Sequence, residues 1–132
     1  MTDKFQPFEH TAVYKAAHFL LKNVQGITAS MNRAYKYTAG IKTLDAAIDL
    51  SVFIAEAYLE KDPSQKLKQV KLIIKQVHKV LIMLRVTYDL QLVRRPLYSE
   101  CITQCVDIIK QAQGWQNSLI KHSQNQDADI LS

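Results

Sequence analysis

The sequence predicts an all-α protein folded as an up-down-up-down four-helix bundle, and three observations carry that prediction. Gly and Pro number only three each in 132 residues, too few for the turns that an all-β chain of this length needs. Four segments repeat apolar residues in alternating steps of three and four, the spacing of one helix face. The breaks between them are short, so consecutive helices should run antiparallel. At 48% hydrophobic and 22% charged the chain has the composition of an ordinary globular domain. All of residues 1–132 are expected to form one domain, with flexible tails at 1–10 and 123–132.

The first helix is expected over residues 11–31. Val13, Ala17, Leu20, Val24, Ile27 and Met31 form its stripe, and Gly26 weakens its last turns. Residues 32–37 read as a break, after which Thr38 is a suitable N-cap for a second helix over 39–60. This helix carries two apolar seams on roughly opposite sides. Ile41, Leu44, Ile48, Val52, Ala55 and Leu59 are expected to face the core. Ala46, Leu50, Phe53 and Ala57 then need a different cover, and contiguous apolar faces usually mark contacts. Those four residues, with Ile82 and Val86 of the third helix, are the expected interface of a homo-oligomer.

Asp62-Pro63-Ser64 is the clearest punctuation in the chain. Pro63 disfavours helix at Asp62, and Ser64 can cap the next helix. This third helix, over 65–92, shows a heptad seam of Leu67, Val70, Ile74, Val77, Leu81, Leu84 and Tyr88. Arg94-Arg95 forms the next break, and Pro96 suits the first turn of a fourth helix. That helix carries Tyr98, Cys101, Cys105, Ile108, Ala112, Trp115 and Leu119 at the same spacing. The polar residues 123–129 read as a frayed tail.

The net charge of +5 is unevenly placed. Residues 64–95 hold eight basic residues (Lys66, Lys68, Lys71, Lys75, Lys79, Arg85, Arg94 and Arg95) and one acid, Asp89. Lys68, Lys71, Lys75 and Lys79 form one outward stripe with no acid at i+4 to neutralise it. Such a stripe suits an anionic partner. Arg85 can instead pair with Asp89 at i+4. A second basic group, Arg33, Lys36 and Lys42, surrounds Tyr35 and Tyr37, a mixture able to hold single strands by stacking and phosphate neutralisation. Core packing is the more ordinary role for those tyrosines.

The sequence offers no catalytic constellation, cofactor motif or metal motif, so no enzyme activity is expected. Cys101 and Cys105 share a face at core positions, where a small buried hydrophobe is the usual role. Two thiols four residues apart on one helix suit a reducing cytoplasm rather than a disulfide framework. His10, His18, His78 and His122 are scattered, and Asp45 and Asp49 lack the Glu-x-x-His partner of a di-metal bundle. Residues 1–9 lack the apolar centre of a secretory signal. The longest apolar run, residues 80–84, is far too short for a membrane span.

Residues 33–42 (Arg-Ala-Tyr-Lys-Tyr-Thr-Ala-Gly-Ile-Lys) and 84–92 (Leu-Arg-Val-Thr-Tyr-Asp-Leu-Gln-Leu) are followed by Tyr98 and by a helix containing Gly114-Trp115. In that order they resemble the accessory variability determinant (Avd) family of diversity-generating retroelements, which is itself similar to ribosomal intervening-sequence four-helix-bundle proteins. The resemblance covers about residues 11–121. It implies a non-catalytic, basic homopentameric barrel of four-helix bundles. Its partners would be the retroelement reverse transcriptase, RNA and DNA, in support of error-prone cDNA synthesis during mutagenic retrohoming. The candidate binding residues are then Lys68, Lys71, Lys75, Lys79, Arg85, Arg94, Arg95, Arg33, Lys36 and Lys42. The alternative is an intervening-sequence-type bundle that binds protein and no nucleic acid.

Overall fold

Thr11 sets the start of the first helix. Its hydroxyl accepts from the Tyr14 amide at 3.3 Å and donates to the Phe8 carbonyl at 2.7 Å. The first bond satisfies an orphan amide of the opening turn. The second pins the short 3-10 turn Pro7–His10 to the helix. The computed structural model describes residues 7–131; of the tail expected at 1–10, residues 1–6 lie outside the described residues, as does Ser132, while residues 7–10 form this turn. After the turn come α1 (Ala12–Ser30), α2 (Arg33–Tyr35), a π-helical segment (Lys36–Gly40), α3 (Ile41–Leu59), α4 (Pro63–Asp89) and α5 (Arg95–Leu131). Helix α1 packs against α3 and α5, and α4 against the same two, which closes a four-helix bundle. No strand occurs among the described residues, and none of their helices is long and apolar enough to cross a membrane.

Two helices bury the stripes expected of them. Val13, Ala17, Leu20, Val24, Ile27 and Met31 all enter the core from α1. From α5, Cys101, Cys105, Ile108 and Ala112 are fully buried, with Tyr98, Trp115 and Leu119 packed against them. Helix α4 is turned slightly from its expected seam. It buries Val70, Ile73, Val77, Val80, Leu84 and Thr87, while Ile74 and Leu81 are half-buried flanks. A straight helix that packs against two neighbours buries a broad band rather than a narrow coiled-coil line. Gln76 lies in that band, and its side-chain amide donates to the Ala46 carbonyl of α3 at 2.9 Å.

The caps differ from expectation at two places. Asp62, not Ser64, caps α4. Its carboxylate accepts from the Gln65 amide at 3.0 Å, and Pro63 takes the first helical position, where its missing N–H costs nothing. Thr38 caps nothing, because the chain does not break there. Asn32 starts the helix by accepting from the Tyr35 amide at 3.2 Å, and the chain passes through the π segment directly into α3. The Thr38 hydroxyl instead donates back to the Ala34 and Tyr35 carbonyls. Gly40 lets this segment lie close to α1: a Cβ there would meet Met31 Sδ at 2.9 Å and Thr28 Cγ2 at 3.0 Å. The Thr28 hydroxyl donates to the Gly40 carbonyl across that contact. At the other extreme α5 continues as helix to Leu131, past the expected fraying point, although residues 121–127 are all exposed.

Helix α4 ends in a Schellman motif. The Leu92 amide reaches the Thr87 carbonyl at 3.0 Å, and the Gln91 amide reaches Tyr88 at 2.9 Å. Gln91 holds the left-handed position, with φ of 60°, where a Cβ is disfavoured and glycine is usual. Gln91→Gly should raise stability by about 1 kcal/mol, and Gln91→Val should lower it by a similar amount. Urea unfolding of the two variants measures both.

Burial pushes the Cys101 thiol up to about 11, with Glu100 adding to the shift, and pushes Cys105 up to about 12, with Cys101 adding. Both thiols should therefore resist alkylation in the native protein and react quickly once it is unfolded. The neutral thiols favour the folded state up to the unfolded pKa near 9. That contribution is lost as pH rises from there through the folded values. The unfolding free energy of the wild type should thus fall more steeply over this window than that of a Cys101→Ala, Cys105→Ala variant. Truncation itself should cost on the order of 1 kcal/mol or more.

Candidate nucleic-acid interface

On α4, Lys71 and Lys75 lie opposite the buried band, with Lys68 and then Lys79 progressively to one side. All four are exposed, and none has an ion-pair partner among the described residues. Helix periodicity placed them correctly. At the C-terminal end of α4 the same face turns apolar, with Ile82 61% and Val86 46% exposed. Arg85 is different. Its guanidinium lies 3.3 Å from the Asp89 carboxylate. A hydrogen bond to Tyr98, together with the charge of Asp89, raises its pKa further above the ordinary value. Tyr98 stacks on Tyr88 with ring centroids 4.3 Å apart. Arg85 therefore differs from the four lysines in having an acidic neighbour, although the pair is exposed and correspondingly weak.

The fold brings together two basic groups that are far apart in sequence. The end of α1, the π segment and the α4–α5 connection all lie at one end of the bundle. A cavity of about 400 Å³ there is lined by Ile27 and Ser30 on one side and by Leu92, Arg94 and Leu97 on the other. Arg33 and Lys42 share this end with Arg94 and Arg95, all exposed, and Lys36 is half-buried. The tyrosines between them do not pack into the core. Tyr37, in the π segment, is 63% exposed, and Tyr35, at the end of α2, is 37% exposed. Exposed aromatic faces amid unpaired cations can stack bases and neutralise phosphates at once.

The expected oligomer seam on α3 requires correction. Ala46, Leu50 and Ala57 are buried in the protomer's own core, and Phe53 is half-buried against it. The opposite seam is outside, with Ile41, Ile48, Val52 and Leu59 exposed by 38–57%. The physical reason lies beside each seam. Asp45, Asp49 and Glu56 stand at i+4 or i−3 from Ile41, Ile48, Val52 and Leu59, so burying that seam would strip water from three carboxylates. The neighbours of Leu50 are Ala46, Ala47, Phe53 and Ile54, which carry no charge and include small residues that let α1 and α4 approach closely. The flanking charges were the signal in the sequence that identifies the outer face.

Asp45 and Asp49 remain exposed, and no group of three or more metal-ligating side chains occurs among the described residues. The chemistry on view is charge, aromatic surface and apolar surface. Leu50→Asp should prevent folding, as a buried unpaired charge in the core would. Ile48→Asp combined with Val52→Asp should leave the helical signal nearly unchanged, because both side chains lie outside the protomer's core. Circular dichroism of the two proteins makes the comparison.

Compared with known proteins, the chain matches no protein-family model and no curated protein.

Proposed function

We propose that this protein is a non-catalytic accessory protein of a diversity-generating retroelement. It is a basic oligomeric scaffold that binds the reverse transcriptase together with template RNA and its cDNA, and so supports mutagenic retrohoming in the cytoplasm. The observation that carries this reading is the stripe of Lys68, Lys71, Lys75 and Lys79, exposed and without ion-pair partners among the described residues. The basic, aromatic end around Arg33, Tyr37, Arg94 and Arg95 supports it as a second contact region, and the resemblance of residues 33–42 and 84–92 to the Avd family supplies the biological setting. The exposed seam of Ile41, Ile48, Val52 and Leu59 is the subunit contact in this reading, as the homopentamer of that family requires. Covering those four half-exposed side chains would contribute roughly 1 kcal/mol each. An intervening-sequence-type protein-binding module is the second reading, and the same apolar seam favours it.

A lysine stripe contacts phosphates rather than base edges, so RNA affinity should depend little on sequence. It should fall steeply with salt as counterions are released. Lys71→Glu, Lys75→Glu and Lys79→Glu together should reduce RNA affinity at least tenfold, flatten its salt dependence and impair cDNA synthesis, with folding unchanged. Filter binding across a salt series measures the first two effects. Full RNA affinity in this variant would shift the contact to Arg33, Lys42, Arg94 and Arg95. Absence of salt-dependent RNA binding by the wild type would favour the protein-binding module. Light scattering on the Ile48→Asp, Val52→Asp protein tests the seam: it should form smaller species than the wild type.

A further inference from the structure

Lys66 is placed unlike the other lysines of α4. It precedes Val70 by four residues and Ile73 by seven, so it shares the phase of the buried band. It is half-buried, whereas Lys68, Lys71, Lys75 and Lys79 are exposed. There it lines a cavity of about 370 Å³ at the end of the bundle away from the basic, aromatic end. The rest of the lining is residues 11–13 at the start of α1, Ile54 and Tyr58 of α3, and Gln111 and Trp115 of α5. Among the described residues, no carboxylate lines this cavity and Lys66 has no ion-pair partner.

A half-buried lysine beside Val, Ile, Tyr and Trp brings a cation to a largely apolar cavity. Its alkyl stem packs well there, but the ammonium gains only from water or an anion. One class of molecule satisfies both halves of such a site. We propose that the cavity binds a small amphipathic monocarboxylate, an aliphatic or aromatic acid. Its apolar body lies between Val13, Ile54 and Trp115, and its carboxylate lies on the Lys66 ammonium. The Gln111 side-chain amide is the neighbouring neutral donor. Charge-assisted hydrogen bonds of this kind are stronger than neutral ones. The volume falls at the small end of the range for ligand pockets, about 300–1,000 Å³, and gaps between bundle helices are a common place for them. A cationic amphiphile of the same length would meet Lys66 as a like charge and be rejected. This inference is independent of any RNA contact, since Lys66 lies on the buried side of α4 and not on the stripe.

Trp115 is the single tryptophan of the chain, so its emission reports on the cavity. Decanoate, kept below its micellar concentration, should change that emission saturably. Decanol should bind at least tenfold more weakly, and decylammonium should give no saturable response. Lys66→Met should weaken decanoate at least tenfold while leaving decanol affinity and the unfolding midpoint unchanged. Ala12 is exposed at the mouth of the cavity, so Ala12→Phe should block both ligands without touching the core. The proposal fails if wild-type protein gives no saturable response to decanoate. It also fails if Lys66→Met binds decanoate as tightly as wild type, if decylammonium competes equally, or if Ala12→Phe binds like wild type.

Discussion

The rotation of α3 about its own axis decides what this molecule hides and what it shows. Helix α3 contacts both α1 and α4, so its buried face must accept a neighbour on each side. Ala46, Ala47, Ser51 and Ala57 supply the small surfaces that allow it, with Leu50 and Ile54 filling the centre. The Gln76 amide on the Ala46 carbonyl locks α4 to that choice. Once the rotation is set, Ile41, Ile48, Val52 and Leu59 have nowhere to go but outward, and the carboxylates beside them stay in water. The orientation of the lysine stripe is set as well, since α4 presents to solvent whatever its contacts with α3 and α5 leave free.

The sequence was easiest to read where a helix has one apolar face. Val13 through Met31 on α1, and Cys101 through Ala112 on α5, are buried as their spacing indicated, because no second stripe competed. On α3 the periodicity is equally good on two sides, and apolar spacing alone cannot rank them. Only the cost of desolvating Asp45, Asp49 and Glu56 does. The π segment was illegible for another reason. A capping threonine and a tight turn carry nearly the same local sequence, and what distinguishes them here is tertiary: Gly40 seated against Thr28 and Met31. The lysine stripe was legible because four residues spaced by three and four on one helix need no tertiary information. Its companion group was not, because Arg33 and Arg94 meet at one end only through the packing of the bundle.

The two ends of the bundle thus have opposite character. One combines exposed tyrosines and unpaired arginines around the α4–α5 corner. There Arg85 pairs with Asp89 near the Tyr88–Tyr98 stack. The other end has Phe8 set edge-on to both Tyr14 and Tyr58 beside a cavity lined by Lys66 and Trp115. The basic flank of α4 runs between them. Polyanions and small apolar acids would therefore meet different parts of the surface, without competing for the same side chains.

The π segment Lys36–Gly40 also bears on how this protein can change over generations. A π turn is an α-helix with one residue too many. The widened turn absorbs that residue, so the helix on either side keeps nearly the phase that a regular helix one residue shorter would have. Loss of one residue between Lys36 and Gly40 would tighten the segment while the stripe of α1 and Leu50 and Ile54 of α3 kept their places in the core. This junction is thus where the chain can change its length, and with it the surface around Tyr37, without unpacking the bundle.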